Sequence, residues 1–455
     1  MSGTTTLCIL GASGDLSSRL LLPALGQLLT LEPWRDVRLL GAGQDDWSER
    51  HWRGVVRAAF ATMDASGPAV DALLRSTRYR CADVTDPDAL EEVLDGSAGR
   101  VALYFALPPA VAAQTGAALA GITRPPGLIL ALEKPFGTDE AHAHALNERL
   151  ATIVSEAQVH RVDHFLGRST VLNVLGLRFA NRVFEPAWSA EHIASVVIRY
   201  DEELGLEGRA GYYDHAGALV DMLQSHLLQV LAIVAMERPA SLDEGELRDA
   251  ISAALRATRV WHNDPVTASR RARYTAGRVG DRDFVAYAQA PGVDPTRETE
   301  TLAEVTLEVD TERWAGVPFT LRSGKALGAL RREILVRFRP LRMPSGFTGT
   351  PKPDELRIVL GPDRIDLAIN INGEGDPFSL DQVVMSASFT DGGLSPYGEV
   401  LAGILDGDPT LSVRGDTAER CWHIVQPVLD AWRAGRVPLD EYAAGTQGPR
   451  GWAPL

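Results

Sequence analysis

The chain has 455 residues, 45% of them hydrophobic and 23% charged, which is enough for two domains with substantial cores. Its formal net charge of −15 argues against a nucleic-acid-binding surface, and no polybasic segment is present for a membrane surface. No stretch approaches the roughly 18 uninterrupted apolar residues of a membrane span, and the first residues do not show a basic segment followed by an apolar core. We therefore expect a soluble two-domain protein without nucleic-acid or membrane partners.

The three cysteines, Cys8, Cys81 and Cys421, indicate the compartment. They lie far apart, and none belongs to a spacing typical of a metal site. The sequence therefore predicts a reducing cytoplasm and no bound metal.

The first elements predict a dinucleotide site. Residues 7–10 form a short apolar run typical of a buried strand, and leucines at helical density begin at Leu20. The intervening turn at 11–16 reads Gly-Ala-Ser-Gly-Asp-Leu, and its glycines allow the backbone to approach a pyrophosphate at the start of the helix. The third glycine of the common fingerprint is absent, so the turn alone is equally consistent with an ordinary strand-to-helix connection. The next strand, at 37–41, favours the dinucleotide site, with contacts predicted from Gly11, Ser13, Gly14, Asp15 and Leu16.

Strands and helices continue to alternate through the first third of the chain. Further strands are predicted at 101–106 and 128–132, and each ends in a proline-bearing turn, at 107–109 and 133–137. In an open parallel sheet such strand ends line the ligand crevice. The sequence therefore predicts a Rossmann-like α/β domain over residues 1–168.

After Arg168 the pattern changes to that of an α+β domain over residues 169–455. The predicted strands run apolar or alternate, with short Gly, Pro or Asp turns between them, at 193–200, 302–309, 333–339, 355–360, 365–371 and 383–389. Helices are predicted at about 217–237, 244–260 and 416–434. We expect an extended antiparallel sheet covered by these helices, a loop at 344–353 and an irregular tail after Gly445.

Two segments carry groups suited to proton abstraction. Residues 161–168 contain Asp163, His164 and Arg168, and residues 221–229 contain His226. Together they supply an acid, two imidazoles and a guanidinium, which is enough to orient a base, abstract a proton and hold an anionic substrate. In isolation His226 is equally consistent with a satisfied buried histidine, and Asp163 with His164 fits a helix cap or turn. As a set they are typical of a dehydrogenase or isomerase.

The chain resembles the glucose-6-phosphate dehydrogenase family over nearly its whole length. The resemblance is carried by eight segments in the order and spacing of the family, at 11–16, 133–137, 161–168, 177–181, 207–214, 221–229, 235–237 and 317–325. It implies oxidation of the C1 hydroxyl of D-glucose 6-phosphate to 6-phosphogluconolactone with hydride transfer to NAD(P), the first step of the oxidative pentose phosphate pathway.

The resemblance also implies residue roles. His226 matches the family's base and Asp163 its partner, which would fix the tautomer and stabilise the imidazolium. His164 and Arg168 match the positions that bind the substrate phosphate, where a guanidinium can chelate two oxygens. The positions that contact sugar hydroxyls or cofactor are Lys134, Glu202, Asp221 and Lys325, with Pro108 on the cofactor side. Pro135 matches a proline whose preceding peptide bond is cis in the family. The large antiparallel sheet, with an apolar outer face, would suit a homodimer or homotetramer.

Several residues depart from the family pattern near the substrate. The family usually has Tyr at Phe165, Lys at Arg168 and Asn at Ser225, and a glutamine near the substrate corresponds to Gly361. Arginine keeps the charge of lysine but not its geometry. Three alternatives stay open: a hexose that is modified or carries another anionic tail, a different sugar-modifying Rossmann oxidoreductase, and a catalytically silent regulatory paralogue. An aligned acid and imidazole argue against silence.

The cofactor end departs as well. Gln44 follows the second strand where the family commonly has an arginine for the adenosine 2′-phosphate. Glutamine can donate to a ribose hydroxyl, whereas Asp45 and Asp46 would repel a phosphate dianion. Arg19, Arg50 and Arg53 are the nearby cations that can compensate. The sequence therefore predicts NAD or dual use, although NADP is the family's default.

Overall fold

The computed structural model describes residues 3–95, 97–389 and 393–452. The chain divides into two compact units. The first contains Met1–Arg168, Pro239–Asp249 and Asp391–Glu419, and the second contains Ser169–Arg238, Ala250–Thr390 and Arg420–Leu455. The division after Arg168 falls where the sequence pattern changes, but two later segments belong to the first unit as well.

The first unit is built on a seven-stranded sheet in the order β18-β6-β5-β4-β1-β2-β3. Its strands, numbered along the whole chain, are β1 (Thr5–Leu10), β2 (Val37–Gly43), β3 (Arg78–Cys81), β4 (Arg100–Phe105), β5 (Ile129–Glu133), β6 (Val159–Val162) and β18 (Ser412–Val413). All pairs are parallel except β18 with β6. Every residue of β1 is buried, as expected of a parallel strand covered on both faces. The predicted Rossmann-like sheet is confirmed.

Helices cover the faces of this sheet. They are α1 (Leu22–Leu31), α2 (Glu49–Ala61), α3 (Pro68–Ser76), α4 (Pro87–Leu94), α5 (Pro109–Ala120), α6 (Glu140–Ala151) and α11 (Pro396–Asp406). The core on one side contains Leu25 and Leu28 of α1 and Ile404 of α11. The buried Trp52 of α2 donates from Nε1 to Thr77 Oγ1 at 2.8 Å, which fixes α2 against the entry to β3.

The second unit is built on a ten-stranded sheet in the order β17-β16-β15-β14-β7-β13-β12-β9-β19, with β8 paired to β12. The strands are β7 (Ile193–Asp201), β8 (Thr258–Val260), β9 (Ser269–Thr275), β12 (Leu302–Val309), β13 (Phe319–Gly324), β14 (Arg331–Phe338), β15 (Glu355–Leu360), β16 (Asp363–Asn372), β17 (Leu380–Ser388) and β19 (Leu439–Ala443). A separate ribbon joins β10 (Gly277–Val279) to β11 (Arg282–Phe284). The sheet is largely antiparallel as predicted, but β7 with β13 and β9 with β19 are parallel.

The helix predicted at 217–237 begins earlier and is not regular. It consists of α8 (Ala210–Ala218), a π-helical run at Leu219–Leu227 and α9 (Leu228–Ala235). At Gly217 the backbone has a φ of 67°, and the Glu300 carboxylate accepts from the Leu219 N–H at 2.9 Å. This contact replaces an intrahelical acceptor and explains the interruption. The remaining helices are α7 (Ser169–Phe179), α10 (Glu244–Ala257) and α12 (Gly415–Arg433).

One helical stretch has the length and composition of a membrane span. Ala210–Ala235 has a mean hydropathy of 1.6 over its most apolar window, and 83% of that window is buried within the protein. A core helix of a large domain meets the same criteria, so its apolar character is accounted for by burial.

Candidate active site

The turn at 11–16 has the geometry of a phosphate-binding turn. Gly11 has a φ of 80°, and a Cβ at this position would lie 2.3 Å from the Ala106 carbonyl oxygen, so no other residue fits without displacement. The Gly14 N–H closes the turn on the Gly11 oxygen at 3.0 Å, and helical structure begins at Asp15. The first N–H groups of a helix lack intrahelical acceptors and favour an anion. A π-helical run, Ser17–Leu21, precedes α1.

The end of β2 lies beside this turn. A Cβ on Gly43 would be 3.0 Å from the Tyr79 hydroxyl oxygen and 3.3 Å from Ser13 Oγ, so a small residue is needed there. Gln44 is exposed, and the Tyr79 hydroxyl donates to the Asp45 carbonyl at 3.0 Å. Arg19 is exposed and lies 4.0 Å from Asp15.

A cavity of about 580 Å³ lies at the carboxyl ends of β4 and β5. Pro108, Lys134 and Pro135 line it, together with residues of α5 and α6. The Lys134–Pro135 peptide bond is cis, as the resemblance implied. Lys134 therefore lies where a crevice is expected in a parallel sheet.

A partly buried acid cluster includes Glu133, the neighbour of Lys134 in the chain. The Tyr104 hydroxyl donates to Glu133 Oε1 at 2.5 Å, and Tyr397 of α11 also hydrogen-bonds this carboxyl group. Burial raises the pKa of Glu133 to about 7, although both tyrosine hydroxyls and Lys134 oppose the shift. The cluster is invisible to short-range sequence analysis because Tyr397 is far from Glu133 in the chain.

The turn after β6 fixes three of the predicted residues. Asp163 is buried, and its Oδ1 accepts from the Phe165 N–H at 3.0 Å. The His164 ring stacks on Tyr397 with centroids 5.2 Å apart, and the Arg168 guanidinium lies 4.8 Å from the centre of the Phe165 ring. Since phenylalanine replaces the usual tyrosine, this ring contributes a face for arginine and no hydroxyl for a substrate.

In the second unit, Glu202 and Lys325 meet at the carboxyl ends of parallel strands. β7 and β13 pair in register from Phe319 with Val196 to Gly324 with Asp201, so the next residue of each strand lies at the same edge. Lys325 Nζ lies 2.8 Å from Glu202 Oε2. Tyr442 donates to the Lys325 carbonyl at 2.6 Å and fixes the backbone there.

Asp221 and His226 both lie in the π-helical run Leu219–Leu227. Their side chains are buried, with exposed fractions of 9% and 2%. Hydrogen bonding from residue i to i+5 in a π-helix brings residues five apart closer to one face than an α-helix does. The Tyr212 hydroxyl lies 3.4 Å from Asp221 Oδ1.

The predicted residues therefore form two sets. The first unit contains the turn at 11–16, Lys134 and Pro108 beside one cavity at strand ends, and the Asp163–His164–Arg168 turn. The second unit brings together Glu202 with Lys325 and places Asp221 with His226 on one helix. Sequence reasoning missed Tyr104, Glu133 and Tyr397 as a cluster, because nothing in the local patterns connects them.

The first-unit residues suit a nicotinamide dinucleotide. Gly11 leaves room only for backbone in the turn at 11–16, Gly43 leaves space beside Ser13, and the strand-end cavity reaches Pro108 and Lys134. These residues would hold the cofactor, which would supply a hydride acceptor when bound.

A doubly wound parallel sheet with this turn, joined to a large mixed sheet that carries buried acid and imidazole groups, defines a nicotinamide-dependent dehydrogenase. Residues 8–173 match the family described as "Glucose-6-phosphate dehydrogenase, NAD binding domain". Residues 175–454 match the family described as "Glucose-6-phosphate dehydrogenase, C-terminal domain". The chain belongs to the glucose-6-phosphate dehydrogenase family.

Individual relatives agree over almost the full length. The chain is 38% identical to the glucose-6-phosphate 1-dehydrogenase of Gluconobacter oxydans, covering 97% of this chain and 94% of that protein. It is 35% identical to that of Zymomonas mobilis, covering 98% and 96%. Among solved structures, the enzyme from Mycobacterium avium matches with a TM-score of 0.84 at 31% identity, covering 98% of this chain and 96% of that one. A glucose-6-phosphate dehydrogenase in complex with its substrate glucose-6-phosphate matches with a TM-score of 0.86 at 29% identity, with the same coverage.

Proposed function

We propose that the protein oxidises the C1 hydroxyl of D-glucose 6-phosphate to 6-phosphogluconolactone with hydride transfer to NAD(P). Membership of the family over residues 8–173 and 175–454 is the observation that carries this proposal, and the resemblance assigns the chemistry to His226, Asp163 and Lys134. The reaction is the first step of the oxidative pentose phosphate pathway. A catalytically silent paralogue would have no need for a buried imidazole and a buried acid at these positions.

His226 is the proposed base. It accepts the proton from the C1 hydroxyl oxygen as the hydride leaves, for which a neutral imidazole near pH 7 is suited. Asp163 is the proposed partner that orients the ring and stabilises the imidazolium. Positioned general-base catalysis contributes roughly 10²–10⁴-fold, and positioning of C1 contributes much of the rest.

His164 and Arg168 are the proposed phosphate ligands. Both lie on the turn after β6, which the Asp163 carboxylate stabilises by accepting from the backbone. His164 is held by Tyr397, and Arg168 by the Phe165 ring, so neither group needs to be ordered when the substrate binds.

The experiment compares glucose 6-phosphate with unphosphorylated glucose. Arg168→Ala and His164→Ala should each raise the KM for glucose 6-phosphate by the loss of a charge-assisted contact, roughly 1.5–3 kcal/mol, and should change the kinetics with glucose little. Arg57→Ala is the matched control, since it removes an exposed arginine of the same unit. Equal damage with both sugars would reject the phosphate assignment.

A second substrate class is favoured by one observation. Arg168 and Phe165 occupy positions where the family usually has lysine and tyrosine. The anion therefore meets a planar guanidinium and no phenolic hydroxyl. A hexose that is modified or carries another anionic tail would fit this change. Measurement of kcat/KM for glucose 6-phosphate, for 2-deoxy and 2-amino hexose 6-phosphates and for hexose carboxylates decides between the two substrate classes. A higher kcat/KM for any of these analogues than for glucose 6-phosphate would reject glucose 6-phosphate as the preferred substrate.

For the cofactor we propose NAD or dual use. Gln44 is exposed at the end of β2, Asp45 and Asp46 follow it, and Arg19 lies near Asp15 rather than standing alone. Gln44→Arg, combined with Asp45→Ser, should shift the ratio of kcat/KM values toward NADP by on the order of tenfold or more. A wild-type enzyme strongly selective for NADP would contradict the proposal.

We propose a homodimer or a homotetramer. The edge strand β17 exposes apolar residues on both faces, with Val384 60% and Met385 52% exposed, and Ile371 of the adjacent β16 is 42% exposed. Such an edge is a liability unless another chain covers it. Light scattering after size exclusion should give a dimer or tetramer mass, and Val384→Lys should lower it. A monomeric wild type would exclude both assemblies.

A reducing cytoplasm is the proposed location. Cys8 and Cys81 are free thiols, and burial raises the pKa of the Cys8 thiol to about 12. Unpaired thiols are typical of reducing compartments. Fractionation of cells that express the tagged chain tests this directly.

A further inference from the structure

The first unit contains a second cavity, outside the proposed active site. It has a volume of about 460 Å³ and is bounded by Thr6 of β1, residues of β2 and β3, and the helices α2, α3 and α4. Neither the turn at 11–16 nor Gln44 lines it. Its lining is dominated by five arginines, Arg38, Arg53, Arg75, Arg78 and Arg80.

Among the described residues, these five arginines have no acidic ion-pair partner. Within residues 3–95, 97–389 and 393–452, no carboxylate lies within 4.0 Å of any of their guanidinium groups. Arg53 Nε is buried and has no hydrogen-bond partner among those residues. Many other arginines of the chain form close ion pairs, as Arg199 does with Glu333 and Arg259 with Glu308.

The cavity is therefore positive in a strongly negative protein. Two carboxylates, Glu49 and Glu92, also line it, so five guanidiniums leave three positive charges uncompensated. The whole chain has a net charge of −15, which makes this concentration of arginine unusual. Like charges gathered in a concave surface repel one another, and a bound anion would remove that repulsion.

The lining also indicates the kind of anion. Guanidinium groups bind phosphate through two parallel hydrogen bonds, which several arginines can offer at once. A volume of about 460 Å³ holds a compact metabolite-sized ligand. The apolar lining residues are Leu39, Leu40 and Val93, and no aromatic ring lines the cavity among the described residues, so a base has nothing to stack on.

We propose that this cavity, the arginine cavity, binds a small oligophosphate, an anion with two or more linked phosphate groups. The site is separate from the dinucleotide turn. The simplest other explanation is that Arg78 and Arg80 only protect the edge strand β3 from pairing with another chain. That role requires charge but no particular anion.

The test is calorimetric titration of the full chain with tripolyphosphate and pyrophosphate at constant ionic strength. The variant Arg78→Gln with Arg80→Gln should weaken binding at least about tenfold. Arg57→Gln with Arg124→Gln is the matched control, since it removes two exposed positive charges of the first unit outside the cavity and should leave affinity unchanged. Dehydrogenase turnover of both double variants at saturating substrate shows that each is folded.

Three results would overturn the proposal. Wild-type protein that does not bind tripolyphosphate, or an equal loss of affinity in both double variants, would mean that the arginines supply only general charge. Binding that disappears at saturating NADP would place the anion at the cofactor turn instead. Retained binding with saturating NADP, lost in the Arg78 and Arg80 variant alone, supports the arginine cavity.

Discussion

His226 is the side chain on which the proposed chemistry depends. Because it must accept the C1 proton as hydride leaves, His226→Asn should lower kcat by at least about 10²-fold with little change in substrate affinity. Steady-state kinetics with glucose 6-phosphate measures both parameters. A variant that keeps a tenth or more of the wild-type turnover would remove His226 from this role.

Glu133 makes stability depend on pH. Its pKa rises from 4.5 in the unfolded chain to about 7 in the folded protein. Between pH 4.5 and about 7 the Glu133 carboxyl loses its proton in the unfolded state but keeps it in the folded state. The free energy of unfolding therefore falls as pH rises through this range, by roughly 3 kcal/mol in all. Above pH 7 the loss is complete.

Glu133→Gln removes this dependence. The variant should gain stability relative to wild type as pH rises from about 4.5 to 7, which thermal unfolding of both proteins across that range measures. Glu246→Gln, at an exposed position of the same unit, is the control. A constant difference between wild type and Glu133→Gln at every pH would contradict the assignment.

At the scale of elements, the turn between β1 and α1 depends on Gly11. Gly11→Ala places a Cβ 2.3 Å from the Ala106 oxygen at a φ of 80°, so we expect reduced stability and at least about tenfold weaker NAD(P) binding. Gly54→Ala in α2 is the matched control because nothing lies within 4 Å of its Cβ. It should be stabilising by roughly 0.5–1 kcal/mol. Equal cofactor affinity in both variants would contradict the role of this turn in NAD(P) binding.

Most elements with apolar patterns were predictable. β12 at Leu302–Val309 and β15 at Glu355–Leu360 have the bounds that the sequence predicts. β13, at Phe319–Gly324, was missed because its pattern includes Arg322, whose charge is buried beside Asp201. A buried ion pair cannot be read from hydrophobic periodicity. The π-helical run that carries His226 was also beyond prediction, because a contact with Glu300 shapes its start.

At the scale of the whole molecule, the motifs predicted the class of enzyme but not which later segments complete the first unit. β18, at Ser412–Val413, pairs with β6, and Arg414 forms an ion pair with Asp249. The same late segment supplies Tyr397 to the Glu133 cluster and to His164. Short-range patterns contain no information about such pairings, since each partner alone looks like an ordinary surface or helix residue.

The central claim is hydride transfer from C1 of glucose 6-phosphate to the nicotinamide. Incubation with glucose 6-phosphate deuterated at C1, followed by mass spectrometry of the reduced cofactor and the lactone, tests it most directly. We expect one deuterium in the reduced cofactor, none at C1 of the product, and a slower reaction than with the unlabelled sugar. Reduced cofactor without deuterium, or no reduction of either NAD or NADP by this sugar, would contradict the proposed function.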